Sequence, residues 1–583
     1  MSRCGVVVAA ALAILSWAAT ASAQQPADGP LTPFYAAPAG ADSAERGRLL
    51  RSAPVAPDKL LPGAGRGWTV LYTSRGYRDQ PVVVSGLVYV PEGRPPKGGW
   101  PVISYAHGTV GVVNRCAPSY RQDLSAWMGE YLKAGFALVA TDYEGLGPAG
   151  PHPYLDGRSE AYGQIDIVRA ARQLVKGLSR QWMAVGQSQG GQATLFTAAS
   201  ATRLAPELRF RGAIATAPPS HWGIQVVETT DVGRVLTPLV LDALTFHQPD
   251  LDVPSLLTAE GRMLRDATHE GCLADTVLGV FPAVLGKPLI VDDPATAYAR
   301  LKPLFDRLEP PIVKLDQPLY LADGADDEFV PTRTVVMLAE ELRAKGSDVA
   351  LDVFPGVDHR GSARAALTRG IAFARKRFGR SIYQSLSLRF TSHRPGTATD
   401  VTFTSALPAP PEGFASPAMR RSVIRFPAGT RLDTNAVPAC PATDADLAQR
   451  GVAACPPSSR IGTGSAEVRV GAGATLQLAA HAFDGPGRTL TIALTQPDGA
   501  VVRVLHPTVG ARTVTTVLPK VELGAGAEAS LTRLSLRLGA RRGGRALVRT
   551  PRTCPAGGRW TIAYTSVYDP PIGTQTVRRA TRC

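Results

Sequence analysis

A serine flanked by glycines lies where an apolar run meets a helical pattern. Gly186-Gln187-Ser188-Gln189-Gly190 follows the apolar residues Trp182-Met183-Ala184-Val185. A Gly-x-Ser-x-Gly turn between a strand and a helix exposes the serine hydroxyl as a nucleophile. That hydroxyl is weak until an imidazole takes its proton, and the imidazole needs a carboxylate to hold its tautomer. If Ser188 is catalytic, the chain must therefore supply an acid and a histidine.

Two later loops supply candidates in the order Ser, acid, His that is typical of α/β-hydrolases. Asp327 follows the predicted strand Pro318 to Asp323, and His359 follows the next one, Ala350 to Phe354. Asp326 is a rival acid, but the spacing Gly-x-x-Asp-x-x-Val-Pro, the usual setting of the acid in these enzymes, favours Asp327. We predict a catalytic triad of Ser188, Asp327 and His359.

Acyl transfer also needs backbone N–H groups directed at the oxyanion of the tetrahedral intermediate. One comes from the residue after the nucleophile, Gln189, and the other from the loop after an early strand. Tyr105-Ala106-His107-Gly108-Thr109 fits that loop, so we assign the second donor to Thr109 and expect His107 to order the loop. The remaining histidines have no metal-ligand spacing, so we expect neither a metal nor a cofactor.

The elements that must position these residues follow an alternating pattern of short β-branched runs and longer amphipathic stretches. From about Leu31 to Arg380 this predicts βαβ units around a mostly parallel sheet, closed by a last helix from Arg360. Nearly a hundred residues, about Ser220 to Asp316, interrupt this alternation of predicted strands and helices. We interpret them as an inserted helical cap because so long an unstructured loop is rare. The predicted strands before the cap are Val82 to Val90, Pro101 to Ala106, Ala137 to Asp142, Trp182 to Gly186 and Gly212 to Thr216.

Residues 381–583 have a different hydrophobic pattern, in which apolar residues alternate with period two, as in Trp560-x-Ile562-x-Tyr564, between turns rich in Gly and Pro. This predicts an all-β, sandwich-like domain. The region holds 24 Arg and Lys against 11 Asp and Glu, so it carries +13 of the chain's +15. Its densest run could bind an anionic membrane or cell-wall surface, or could serve solubility alone. The run comprises Arg537, Arg541, Arg542, Arg545, Arg549 and Arg552.

The first residues predict export. An apolar stretch from Gly5 to about Ala19 precedes Ala21-Ser22-Ala23, the pattern cut by signal peptidase, so residues 1–23 are interpreted as a signal peptide. An exported chain without an aromatic-basic motif is a poor candidate for nucleic-acid binding.

Removal of Cys4 with the signal leaves an even number of cysteines, which favours disulfides in an oxidising compartment. Fifteen pairings of the six are possible. The preferred set pairs Cys116 with Cys272, Cys440 with Cys455, and Cys554 with Cys583.

Several of these motifs together resemble the secretory lipase family, the lipase A type of α/β-hydrolase. They are Ser104-Tyr105-Ala106-His107-Gly108-Thr109, Cys116-Ala117-Pro118-Ser119, Gly186 to Gly191 and Asp327-Glu328-Phe329-Val330-Pro331. The resemblance covers about Leu31 to Gly379 and implies hydrolysis of carboxylic esters, especially acylglycerols, beneath a helical lid. It also implies that a Cys116–Cys272 bridge ties the oxyanion-side loop to that lid. The alternative is a short-chain or polymer esterase, and the β domain has no counterpart in typical members.

Overall fold

The computed structural model describes residues 29–41, 44–274, 278–379, 385–407, 416–471, 473–521, 528–569 and 573–583. The predicted signal peptide, residues 1–23, lies outside this part of the chain. Among the described residues, no helix is long and apolar enough to cross a membrane.

A nine-stranded sheet forms the N-terminal α/β domain, in the order β1-β2-β3-β5-β4-β6-β7-β8-β9. The three strands at one edge are antiparallel, and β5, β4, β6, β7, β8 and β9 run parallel. The strands are β1 Leu49–Pro54, β2 Ala64–Arg75, β3 Pro81–Pro91, β4 Trp100–Ala106, β5 Ala137–Thr141, β6 Leu178–Gln187, β7 Arg209–Thr216, β8 Leu319–Gly324 and β9 Val349–Phe354.

Helices cover both faces of this sheet, as a parallel sheet requires. One face packs against α3, α4 and α11 through a buried apolar cluster, and the other packs against α2 and α12. The helices of the chain up to the end of this domain are α1 Pro118–Arg121, α2 Gly129–Lys133, α3 Gly157–Leu174, α4 Gln189–Leu204, α5 Trp222–Glu228, α6 Thr237–Leu244, α7 Val253–Leu256, α8 Ala259–Glu270, α9 Leu278–Val284, α10 Pro294–Phe305, α11 Thr332–Ala344 and α12 His359–Arg377.

The interval between β7 and β8 is helical, as predicted, and we call α5 to α10 the cap. It has an apolar cluster of its own that includes Trp222, Leu239 and Phe305. Asp242 of α6 is buried and accepts hydrogen bonds from Arg265 Nε of α8, the shorter at 2.8 Å. The cap is therefore a packed unit over the sheet.

All predicted strands are present, but β1 and β2 were not predicted. β1 has the sequence Leu-Leu-Arg-Ser-Ala-Pro with half-buried and exposed positions that do not alternate cleanly. β1 is a strand because it pairs with β2. This pairing joins two separate segments, so the local sequence pattern of β1 does not reveal it.

The described part of the C-terminal domain is all-β, as predicted, apart from the short α-helix α13 Asp444–Arg450 and two 3-10 turns that follow it. A seven-stranded sheet (β10-β11-β20-β14-β15-β16-β17) faces a five-stranded one (β18-β19-β12-β24-β25) across a shared apolar core. Ala372 of α12 joins this core, which connects the two domains. The strands are β10 Ser385–Phe390, β11 Val401–Ala406, β12 Met419–Arg425, β13 Arg431–Leu432, β14 Arg460–Val470, β15 Thr475–Asp484, β16 Leu490–Thr495, β17 Val501–Leu505, β18 Thr508–Val509, β19 Thr513–Val517, β20 Ala529–Leu538, β21 Arg541–Arg542, β22 Arg545–Ala546, β23 Val548–Arg549, β24 Arg559–Tyr568 and β25 Thr574–Arg582.

The six cysteines form three disulfides with the preferred pairing. Cys116–Cys272 joins the loop after β4 to the end of α8 in the cap, with a Cα–Cα distance of 5.4 Å. Cys440–Cys455 brackets α13. Cys554–Cys583 ties the last residue of the chain to the loop before β24.

Candidate active site

Ser188 lies at the sharp turn between β6 and α4, with φ +56° and ψ −123°. Its backbone N–H donates to Thr216 O at 2.9 Å, which holds the turn against β7. A Cβ on Gly186 would lie 2.0 Å from Gly190 O, and one on Gly190 would lie 1.9 Å from Ala106 O. Both glycines are therefore required for the close approach of strand, helix and neighbouring loop. The strained serine is the kind of outlier found at functional sites.

Asp327 and His359 are in direct contact. His359 Nδ1 lies 2.7 Å from Asp327 Oδ2, and Asp327 Oδ1 accepts the backbone N–H groups of Phe329 and Val330 at 2.8 and 2.7 Å. A proton on Nδ1 leaves Nε2 as the acceptor a general base needs. Asp326, the rival acid, is exposed.

The turn that carries Ser188 and the loop that carries His359 are joined through Gln187. Its Nε2 donates to His359 O at 2.9 Å. Gln187, which directly precedes Ser188, therefore holds the backbone of His359 in place. His359 is the first residue of α12, and its side chain lies against Phe329. The structure describes both side chains and contains no hydrogen bond between Ser188 Oγ and His359. Catalytic hydrogen bonds are often long until substrate binds.

The loop after β4 passes beside Ser188. A Cβ on Gly108 would lie 3.6 Å from Ser188 Cβ. The next residue, Thr109, bonds through Oγ1 to Tyr154 OH at 2.7 Å. His107 Nδ1 lies 2.7 Å from Gly108 O, and burial lowers the pKa of this histidine, so it is a neutral part of the loop. This position is compatible with the predicted role of the Thr109 N–H.

A buried polar network lies behind Gln189 and was not predicted. The Gln189 side chain is 1% exposed and donates through Nε2 to Glu160 Oε1 at 2.7 Å; the same nitrogen lies 3.0 Å from His152 Nε2. Burial lowers the pKa of His152 to about 3, so this histidine is neutral, and burial raises the pKa of Glu160 well above its usual range. The network holds the residue whose N–H is the predicted oxyanion donor. Nothing in the local sequence of Glu160 or His152 indicates it.

Asp323, at the end of β8, is a second unpredicted member of the site. It is fully buried, its Oδ1 accepts the Gly324 N–H at 2.9 Å, and its carboxyl is hydrogen-bonded to Asp327. Burial, and then the charge of Asp327, raise the pKa of Asp323 to about 9. The carboxyl is therefore protonated at neutral pH and donates its proton to the Asp327 carboxylate, which that contact helps to orient.

Asp323→Asn is expected to stabilise the protein increasingly as the pH rises from 5 to 9. The folded chain holds a proton on Asp323 that the unfolded chain loses above about pH 4, so wild-type stability falls through this range. Asparagine removes the titration and keeps an N–H donor for Asp327. Thermal unfolding of both proteins at several pH values measures the effect. A Tm difference that stays constant with pH contradicts the assignment, and Asp326→Asn is the exposed control.

A cavity of about 470 Å³ opens on Ser188 and Gln189 beneath the cap. This volume lies within the range of sites that bind small molecules. Its walls are mainly apolar side chains of the cap, including Trp222, Leu236, Val240, Leu289, Leu301 and Phe305. Ser188 therefore faces an apolar chamber. The described residues include no group of three or more His, Cys, Asp or Glu placed to hold a metal ion.

The mixed sheet with a serine at a strand–helix elbow defines the chain as an α/β-hydrolase. Residues 122–293, which include Ser188 and most of the cap, match the model of the secretory lipase family. This part of the chain is similar to that family, as the motifs predicted, and the protein is an ester hydrolase.

Individual relatives are distant. Lipase A of Moesziomyces aphidis is 24% identical over 381 residues, 59% of this chain and 79% of that protein. A Mycobacterium tuberculosis protein described as a "probable inactive lipase" is 26% identical over 343 residues, 54% of this chain and 75% of its own. Among solved structures, Candida antarctica lipase A in its closed state has a TM-score of 0.48 at 19% identity, covering 60% of this chain and 86% of its own. The rice cell wall degrading esterase LipA of Xanthomonas oryzae has 0.49 at 20% identity, covering 57% and 98%.

Proposed function

We propose that the protein is a secreted serine carboxylic-ester hydrolase that works through Ser188, Asp327, His359 and an acyl-enzyme. The observation that carries this proposal is the 2.7 Å contact between His359 Nδ1 and Asp327 Oδ2. It lies beside a strained serine elbow, at the floor of an apolar cavity.

In this mechanism Ser188 Oγ attacks the ester carbonyl while His359 Nε2 takes the hydroxyl proton. The N–H groups of Gln189 and Thr109 receive the oxyanion of the tetrahedral intermediate. The intermediate collapses as His359 passes its proton to the leaving alcohol, which yields an ester on Ser188. Water, deprotonated by the same imidazole, then attacks the acyl-enzyme and releases the carboxylic acid. Asp327 stabilises the imidazolium that forms in each half-reaction.

The preferred substrate in this proposal is an acylglycerol, because the cavity above Ser188 is large and mainly apolar. Burying a methylene group contributes about 0.8 kcal/mol, so each added carbon that still fits should strengthen binding. With p-nitrophenyl esters of increasing chain length, we expect kcat/KM to rise from acetyl to medium and long chains, and triacylglycerol emulsions to be hydrolysed. A maximum at acetyl or butyryl, with no turnover of emulsions, would reject the lipase proposal in favour of a short-chain or polymer esterase.

Similarity to the secretory lipase family and three disulfides both favour an extracellular or periplasmic location. We propose cleavage after about Ala23. N-terminal sequencing of the exported protein tests this.

We also propose that the C-terminal domain attaches the enzyme to an anionic surface. The observation that favours this role is the concentration of charge, +13 of +15, in residues 381–583. Such a field attracts anionic surfaces and weakens with salt. Loss of surface retention on removal of this domain would support the role only if the remaining enzyme still hydrolysed a soluble ester.

A further inference from the structure

The arginine run that is densest in the sequence is partly neutralised in the fold. Asp400 lies 3.2 Å from Arg537 and 3.3 Å from Arg541. Asp433 lies 2.7 Å from Arg545. Three of the six arginines are therefore paired with two carboxylates that lie beside other strands.

A second set of arginines lies on the outer face of the five-stranded sheet. Alternate residues of β24, such as Trp560, Ile562 and Tyr564, point into the core, so their neighbours point outward. We call the outward positions of β19, β12, β24 and β25 the arginine face. They are Thr513, Thr515, Val517, Arg421, Val423, Arg425, Arg559, Thr561, Ala563, Thr565, Val567, Thr574, Thr576, Arg578, Ala580 and Arg582.

The strand register spreads the charges over this face. Arg425 and Arg578 are both opposite Ala563, on either side of β24, so their backbones lie about 10 Å apart. Arg559 is directly opposite Arg582, and Arg421 lies two pleats along β12 from Arg425, about 13 Å away. Segments more than 150 residues apart in sequence thus form one basic surface.

No carboxylate is present among the sixteen positions of the face. All five arginines are exposed, and none forms an ion pair with a carboxylate of the described chain. The acid at its border, Asp569, is already bound to Arg420. The charge of this surface is therefore available to a partner, in contrast to that of Arg537, Arg541 and Arg545.

We propose that the arginine face docks the enzyme on an anionic phospholipid surface. Guanidinium groups bind phosphate oxygens in bidentate geometry, and the threonine hydroxyls between them add donors. The face is a sheet surface whose outward residues include no aromatic ring, which suits a planar layer of headgroups better than a single polymer strand. This inference rests on the proposed attachment role of the C-terminal domain, and it names the surface and the partner.

The test is co-sedimentation of the full-length protein with phosphatidylcholine vesicles, with and without phosphatidylglycerol, at low salt. The test variant is Arg425→Gln/Arg578→Gln/Arg582→Gln. The matched control is Arg537→Gln/Arg541→Gln/Arg545→Gln, which removes the same charge from the partly neutralised run. Each basic residue near an anionic leaflet strengthens binding about fivefold, so the face variant should bind phosphatidylglycerol vesicles about 100-fold more weakly. The control should lose much less, and both should keep wild-type hydrolysis of a soluble aryl ester and wild-type Tm.

Each alternative outcome overturns a defined part of the proposal. Equal losses in the two variants would reject the arginine face while leaving surface attachment in place. Retention of wild type on polygalacturonate but not on vesicles would reject the lipid partner. Absence of binding to both materials would reject attachment itself. Since hydrolysis of the soluble ester is measured separately, none of these results is confused with failure of the proposed catalysis.

Discussion

Replacing Ser188 with alanine is expected to lower kcat on an aryl ester by about five orders of magnitude. The change removes the nucleophile, so no acyl-enzyme can form, and triad residues act as a unit. Five orders of magnitude correspond to about 7 kcal/mol of transition-state stabilisation. The residual rate above the uncatalysed reaction would come from binding and the oxyanion donors. Steady-state kinetics measures kcat, and mass spectrometry after treatment with a phosphonate ester detects the covalent adduct.

The matched control is Ser200→Ala on the same helix, where the hydroxyl bonds to Phe196 O. This variant should keep wild-type kinetics and form the phosphonate adduct. Unchanged turnover in Ser188→Ala, or an adduct on it, would exclude Ser188 as the nucleophile. The control matters because one relative is described as a probable inactive lipase, and a fold does not by itself carry activity.

Asp327→Asn is expected to lower kcat by about four orders of magnitude. Asparagine fits the same space, but its amide does not stabilise the imidazolium, and its N–H₂ group favours the wrong tautomer of His359. The two backbone N–H groups that now bond to Asp327 Oδ1 can bond to the amide oxygen, so the loop should keep its shape. Turnover of an aryl ester, with Tm as a check on folding, measures the effect.

Asp326→Asn is the matched control, since Asp326 is the adjacent carboxylate and is exposed. It should turn over within about twofold of wild type, as surface substitutions usually change little. A larger loss of kcat in Asp326→Asn than in Asp327→Asn would make Asp326 the acid of the triad. Small and similar losses of kcat in Asp326→Asn and Asp327→Asn would show that neither carboxylate of this loop is the acid of the triad.

The sequence alone predicted the parts of the protein that follow from local chemistry. A strand–turn–helix elbow demands small residues around Ser188, and Gly186 and Gly190 mark it because nothing larger fits. Asp327 and His359 were predicted because both follow strands of a parallel sheet, whose carboxyl ends meet at one edge. The cap and the β domain were predicted from changes in periodicity, which is also a local property.

The tertiary structure alone decided features that depend on burial and on pairing between distant segments. Asp323 is protonated because folding removes it from water and places it against Asp327. Gln189 is held by Glu160 and His152, which the sheet and α3 bring behind it. Three arginines of the run pair with Asp400 and Asp433, while Arg421, Arg425, Arg559, Arg578 and Arg582 meet on one face through strand register. Composition specifies how much charge the chain carries, and only the fold determines which charges remain unpaired.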